Sequence, residues 1–160
     1  MKTNFPEANA LNDVAAFHQL FKLPVLNQAQ IPDQARVQLR LNLLKEELRE
    51  LEEAVEAQDL VAAADAFCDL QYVLSGAILE FGLADQFKNL FDHVQASNMS
   101  KACSSLEEAE QSIDWYKTNK SEDAYAEFSD GKYLVYRKSD KKVLKSIRYQ
   151  EANLAKVIKL

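Results

Sequence analysis

Apolar residues recur every three or four positions from residue 10 to residue 117, and that spacing predicts helices. Leu11, Val14, Ala15, Phe17 and Phe21 define a first helix from about Ala10 to Phe21, which Pro24 and the polar stretch to Pro32 interrupt. A second helix is expected from about Asp33 to Ala57, where Leu41, Leu44, Leu48, Leu51 and Val55 form a stripe suited to a bundle. Asp59 is a natural cap for a third helix, Leu60 to Phe81, which Gly82 ends. The connection between these two helices is short, so they are expected to pack antiparallel.

Phe87, Leu90, Phe91 and Val94 mark a fourth helix from about Ala84 to Ala96. A fifth runs from Leu106 to Lys117, opened by Ser105 with Glu108 three residues on. After Lys120 the pattern changes. Lys132–Arg137 and Lys142–Ile147 are β-prone segments around the polar Ser139-Asp140-Lys141, and they predict a hairpin. The expected fold is therefore all-α, an antiparallel helical bundle over residues 1–120 with a small C-terminal β-hairpin extension over residues 121–160.

Composition sharpens this picture. Only three Gly and three Pro in 160 residues suit a helical protein, and the chain is long enough for a sizeable core. A net charge of −6 argues against a nucleic-acid binder that relies on a broad basic surface. With just Cys68 and Cys103, a reduced cytoplasmic protein is expected, Cys68 reading as part of the core. Residues 1–13 lack the apolar segment of a signal peptide, and no uninterrupted apolar run approaches about 18 residues, so no membrane association is expected.

The chemistry concentrates in acids on the second and third helices. At about 100° per residue, Glu47 and Glu50 project onto the flank shared with Leu43 and Ala54, beside the leucine stripe; Glu46 and Glu53 turn further away. On the third helix Asp65, Asp69, Tyr72 and Gly76 share one narrow strip, and Gly76 there would admit another backbone closely. Asp69 stands among Phe67, Leu70, Tyr72 and Val73, with no basic residue on its helix. An unpaired charge in an apolar setting calls for a cation, and an all-oxygen donor set suits Mg²⁺, or Mn²⁺, better than zinc. A di-iron bundle would want Glu-x-x-His pairs, and neither His18 nor His93 follows a Glu by three. No Gly-x-Ser-x-Gly or P-loop sequence occurs.

The run Glu46-Glu47-x-x-Glu50, then Asp69 in a helix continuing Leu70-Gln71-Tyr72-Val73-Leu74-Ser75-Gly76-Ala77, then Ser97-Asn98-Met99-Ser100-Lys101, resembles the all-α nucleoside triphosphate pyrophosphohydrolases. That superfamily includes the MazG-like, dimeric dUTPase and phosphoribosyl-ATP pyrophosphohydrolase groups. The likeness covers roughly Phe17 to Lys101, and the segments Asp130–Arg137 and Lys142–Ser146 look like those of one bacterial branch of MazG-like proteins. It departs from the pattern at one point: the usual second motif is Glu-x-x-Asp, and Ala66 stands three residues before Asp69. Asp65 is the neighbour that could supply the missing carboxylate.

The resemblance implies Mg²⁺ held mainly by Glu47, Glu50 and Asp69; Asp65 is the further candidate ligand, the alternative to it being a site with fewer or weaker metals. It implies catalytic work for Glu46 and Glu47, and Asn98 and Lys101 at the edge of the site, Lys101 contacting phosphate oxygens. It also implies a nucleoside triphosphate substrate, cleaved to a monophosphate and pyrophosphate, and a homodimer or dimer-based tetramer. Histidine-biosynthetic hydrolysis of phosphoribosyl-ATP is the alternative activity, and a non-catalytic nucleotide- or metal-binding bundle the alternative of another class. On residue type alone, Asn98 and Lys101 read equally as a helix-end cap and a solvated lysine. His18 lines a base pocket or is merely hydrogen-bonded, and Tyr72 stacks on a base or packs in the core. Arg36 and Arg40, one turn apart, meet phosphate or solvent.

Overall fold

The computed structural model describes residues 4–159; Met1, Lys2, Thr3 and Leu160, the extreme ends of the two expected segments, lie outside the described residues. Five α-helices come first, α1 (Ala10–Leu20), α2 (Gln34–Glu56), α3 (Leu60–Glu80), α4 (Ala84–Met99) and α5 (Leu106–Lys120). Strands β1 (Ala124–Ser129) and β2 (Lys132–Arg137) and a short 3₁₀ turn, Leu154–Lys156, follow. The chain forms two compact units. One holds the described residues to Lys88 together with Ile158 and Lys159; the other is Asn89–Val157.

Local chemistry sets the ends of the helices. The Asp33 carboxylate accepts from the Arg36 amide at 3.0 Å, and Asp59 accepts from both Val61 and Ala62, so orphan N–H groups at the starts of α2 and α3 are satisfied. Ser105 Oγ accepts from the Glu108 amide. Glu108 reaches back one residue further than a standard capping box, accepting from the Ser104 amide and hydroxyl. Past α3, Gly82 adopts φ +66°, and a Cβ there would stand 1.9 Å from the Gln28 carbonyl oxygen, so only glycine lets the 21–33 loop pass this close.

In the first unit α3 is central, packing against α1 and α2. Length and composition alone would let α3 cross a membrane, with a mean hydropathy of 1.2. A helix at the centre of a helical unit meets the same test, and α3 carries Asp65, Asp69 and Glu80. The α2/α3 seam is built from small residues, with Ala54, Ala63 and Ala66 buried. This corrects the expected role of the leucine stripe: Leu41, Leu48 and Val55 are 45%, 49% and 60% exposed. Arg40 and Ala54 are the buried residues of α2, while Leu44 and Leu51 of the stripe are half-buried. Cys68 is likewise exposed, not core; Cys103 is the buried thiol. An exposed position on α3 explains the difference, because its apolar composition runs all the way round the helix.

The second unit is organised about Cys103, Ala109, Ala124, Val135 and Leu144. Its hairpin differs from expectation. β2 pairs antiparallel with β1, not with Lys142–Ile147, and the turn is Asp130-Gly131 with both φ angles positive, which matches the twist of a two-residue hairpin. Residues 142–147 make only a single bridge, Tyr136 to Val143, and the Leu144 amide donates to the Val135 carbonyl. They then dock on α5, where Ser146 Oγ donates to the buried Glu108 and the Ile147 amide donates to Ser112 Oγ. Burial pushes the Glu108 carboxyl up, but its bonds from Ser104 and Ser146, with Arg148 nearby, hold it below the usual carboxylate range.

Candidate functional site

On α2 and α3, the carboxylates selected from sequence lie near enough to Glu47 to act on its charge. Glu47, partly buried on α2, has its carboxyl held above the usual range first by that burial and then by repulsion from Asp69, Glu50, Glu46 and Asp65, in that order. All four acids therefore act on Glu47 through space, from its own helix and from α3. Asp65, the neighbour that could supply the acid missing at Ala66, is one of the four. Ala66 itself is 4% exposed and packs in the seam.

Two expectations about this cluster need correction. Asp69 is exposed, and the apolar residues around it do not bury it: Phe67 and Tyr72 are themselves 61% and 40% exposed. Electrostatic crowding, then, and not desolvation of Asp69, is what calls for a counter-charge here. Crowding is not yet coordination: among the described residues, no three His, Cys, Asp or Glu side chains are gathered closely enough to hold a metal ion. The donor set does fit a hard cation, being all oxygen and net negative.

One turn along α2 and α3 lies a cavity of about 290 Å³, walled by Phe17, Leu43, Tyr72 and Val73 with His18 and Arg40 at its polar end. Leu43 is four residues before Glu47, and Tyr72 three after Asp69, so helical spacing makes the cavity the continuation of the acidic strip. Tyr72 meets Phe17 edge-on, ring centroids 5.6 Å apart. His18 is fully buried; its Nδ1 lies 2.8 Å from the Pro24 carbonyl oxygen and its Nε2 3.1 Å from Arg40 Nη2.

Behind His18 sits a group that sequence reading missed. Glu80 is wholly buried and accepts from both Arg36 and Arg40. Burial alone would push its carboxyl up, but the two guanidiniums offset that and hold it below the usual range. Arg36 and Arg40 thus meet neither solvent nor phosphate first, but an acid forty or more residues away. The available signal was a lone acid ending the apolar run Ala77-Ile78-Leu79, where a helix C-terminus disfavours negative charge. Gly76 is explained by the same network. A Cβ there would stand 2.8 Å from Arg40 Nη1 and 3.0 Å from His18 Nε2, so side-chain tips, not a backbone, occupy the space expected for close approach. Gly76→Ala is expected to destabilise the protein by about 1–3 kcal/mol, overpacking outweighing the helix-propensity gain, as a lowered urea midpoint would report.

Asn98 and Lys101 belong to the second unit, where Lys101 Nζ donates to Asn98 Oδ1 at 2.8 Å. The turn that carries them is laced to residues 146–150: Ser97 Oγ donates to the Tyr149 hydroxyl at 2.9 Å, and the Gln150 amide donates to Ser100 Oγ at 2.9 Å.

No curated protein matches the chain. The family model for phosphoribosyl-ATP pyrophosphohydrolase matches residues 14–98, more than half of the sequence and the whole stretch that carries the acidic strip and the cavity. The chain belongs to the phosphoribosyl-ATP pyrophosphohydrolase family, within the MazG-like superfamily, and is a hydrolase acting on a nucleotide pyrophosphate bond.

Proposed function

We propose that this enzyme is a Mg²⁺-dependent nucleoside triphosphate pyrophosphohydrolase that cleaves between the α and β phosphates of an NTP or dNTP, releasing a monophosphate and pyrophosphate. The observation that carries the reading is the crowded set of acids beside a base-sized, largely apolar cavity. Glu47, Glu50, Asp69 and Asp65 would hold the ion, for which Mn²⁺ could substitute. When bound, it neutralises phosphate charge and lowers the pKa of a coordinated water. Glu47, whose proton affinity is already raised, and Glu46 beside it are suited to orient that water and accept its proton. The cavity takes the base, among Phe17, Leu43, Tyr72 and Val73.

The enzyme is further proposed to be a cytoplasmic homodimer or dimer-based tetramer that binds neither nucleic acid nor membrane. The exposed stripe of Leu41, Leu48 and Val55, with Leu60, Val61 and Phe67 exposed on α3, supports self-association, since apolar area of this kind is covered in stable assemblies. Phosphoribosyl-ATP is the second reading, favoured by the description of the matching family. Ala66 favours the third, a bundle that binds without turnover.

Assaying pyrophosphate release from NTPs, dNTPs and phosphoribosyl-ATP separates the three. Release from triphosphates at least about tenfold more efficient than from phosphoribosyl-ATP is expected, a gap of about 1.4 kcal/mol. The reverse ratio supports the second reading, and nucleotide binding with no pyrophosphate at all supports the third.

A further inference from the structure

The polar end of the α2/α3 cavity is one-sided in its hydrogen bonding. The Pro24 carbonyl oxygen can only accept, so His18 Nδ1 carries its proton and Nε2 offers a lone pair; that lone pair already accepts from Arg40 Nη2 at 3.1 Å. Both Glu80 oxygens are also in use, Oε1 by Arg36 and Arg40 and Oε2 by Arg36 Nε. The buried acceptors are therefore consumed within the protein. The donors are not: two guanidiniums, which together offer about ten N–H groups, surround a single carboxylate, and Arg40 Nε is buried with no partner. Arg36 and Arg40 both line the cavity, Arg36 with its side chain 26% exposed, so a ligand there meets surplus positive charge and guanidinium donors behind apolar walls.

We infer that the cavity selects nucleobases carrying a ring-edge carbonyl, as in uracil and hypoxanthine, over bases with an amino group at the same position. This rests on the proposal that the cavity takes the base. An oxo oxygen can accept from a guanidinium and so relieve the donor excess. An amino group in its place sets N–H against N–H at that atom, and such a base pairs with the guanidiniums only by shifting a ring nitrogen toward them, a displacement that costs binding in a site sheltered from water.

The test compares nucleotides that differ only in that group: kcat/KM of the wild-type enzyme with Mg²⁺ for ITP against ATP, and for UTP against CTP. A charge-assisted hydrogen bond predicts at least about a tenfold preference for ITP and for UTP. In Arg40→Lys, which keeps the charge but loses the planar fork, both ratios should fall toward one. Equal efficiencies in the wild type, or a preference for ATP and CTP, would overturn the inference while leaving the pyrophosphohydrolase reading in place. Pyrophosphate from none of the four would overturn that reading and this inference together.

Discussion

Asp69→Asn is expected to lower kcat/KM for pyrophosphate release by about 100- to 1000-fold while leaving the fold intact. Asparagine keeps the shape of aspartate and removes its charge. An ion that neutralises phosphate charge contributes several kcal/mol to the transition state, and each 1.36 kcal/mol or so is a factor of ten in rate. Asp69 is exposed, so little folding energy rests on it. It is also the largest source of repulsion on Glu47, so metal-free Asp69→Asn should be slightly more stable than wild type, by less than about 1 kcal/mol. Activity down and stability level or up is a combination that a general folding defect does not produce. Steady-state rates and thermal melts on the same preparation measure both, and a rate loss under tenfold would remove Asp69 from the ion site.

Glu80→Gln should act in the opposite way, on stability first. Glutamine fills the same space but leaves Arg36 and Arg40 without the negative charge that compensates their burial, Arg40 being only 8% exposed in its side chain. Removing one partner of a buried ion pair costs about 3–5 kcal/mol. The pH dependence gives a second readout. Because the folded Glu80 carboxyl is held below its ordinary value, its contribution is fully present above the usual carboxylate range and is lost as pH falls through the lowered value. Wild type should therefore lose stability on the acid side where Glu80→Gln changes less. Urea unfolding at neutral and acid pH checks this; equal acid sensitivity in both proteins would show that Glu80 is not the group titrating.

These two residues also mark how far the sequence alone reaches. The strip of Glu47, Glu50, Asp65 and Asp69 was legible because it follows from helical spacing within two adjacent helices joined by three residues. Helix ends were legible for the same local reason, through Asp33, Asp59, Ser105 and Gly82. Glu80 was not, since its partners come from α2, forty and forty-four residues away, and no local pattern joins them. The leucine stripe was correctly seen as an apolar face, but periodicity identifies a face without saying what covers it. Small alanines, which carry little weight in such a pattern, built the α2/α3 seam instead. The hairpin was misread for another reason: Asp130-Gly131 is a strong turn signal, and the muted alternation of Ala124–Ser129 hid the strand before it. Cavity and polar floor depend on His18 and Arg40 meeting across α1 and α2, a contact twenty-two residues apart in sequence.

Catalysis of this kind requires above all that the acidic strip of α2 and α3 bind a divalent cation. Calorimetric titration of Mg²⁺ and Mn²⁺ into metal-free protein, with and without a non-hydrolysable triphosphate, measures this directly. Saturable binding by the wild type, abolished in the Glu50→Gln/Asp69→Asn double variant, is the predicted result; no binding by the wild type in either condition, or equal binding by the variant, would contradict it.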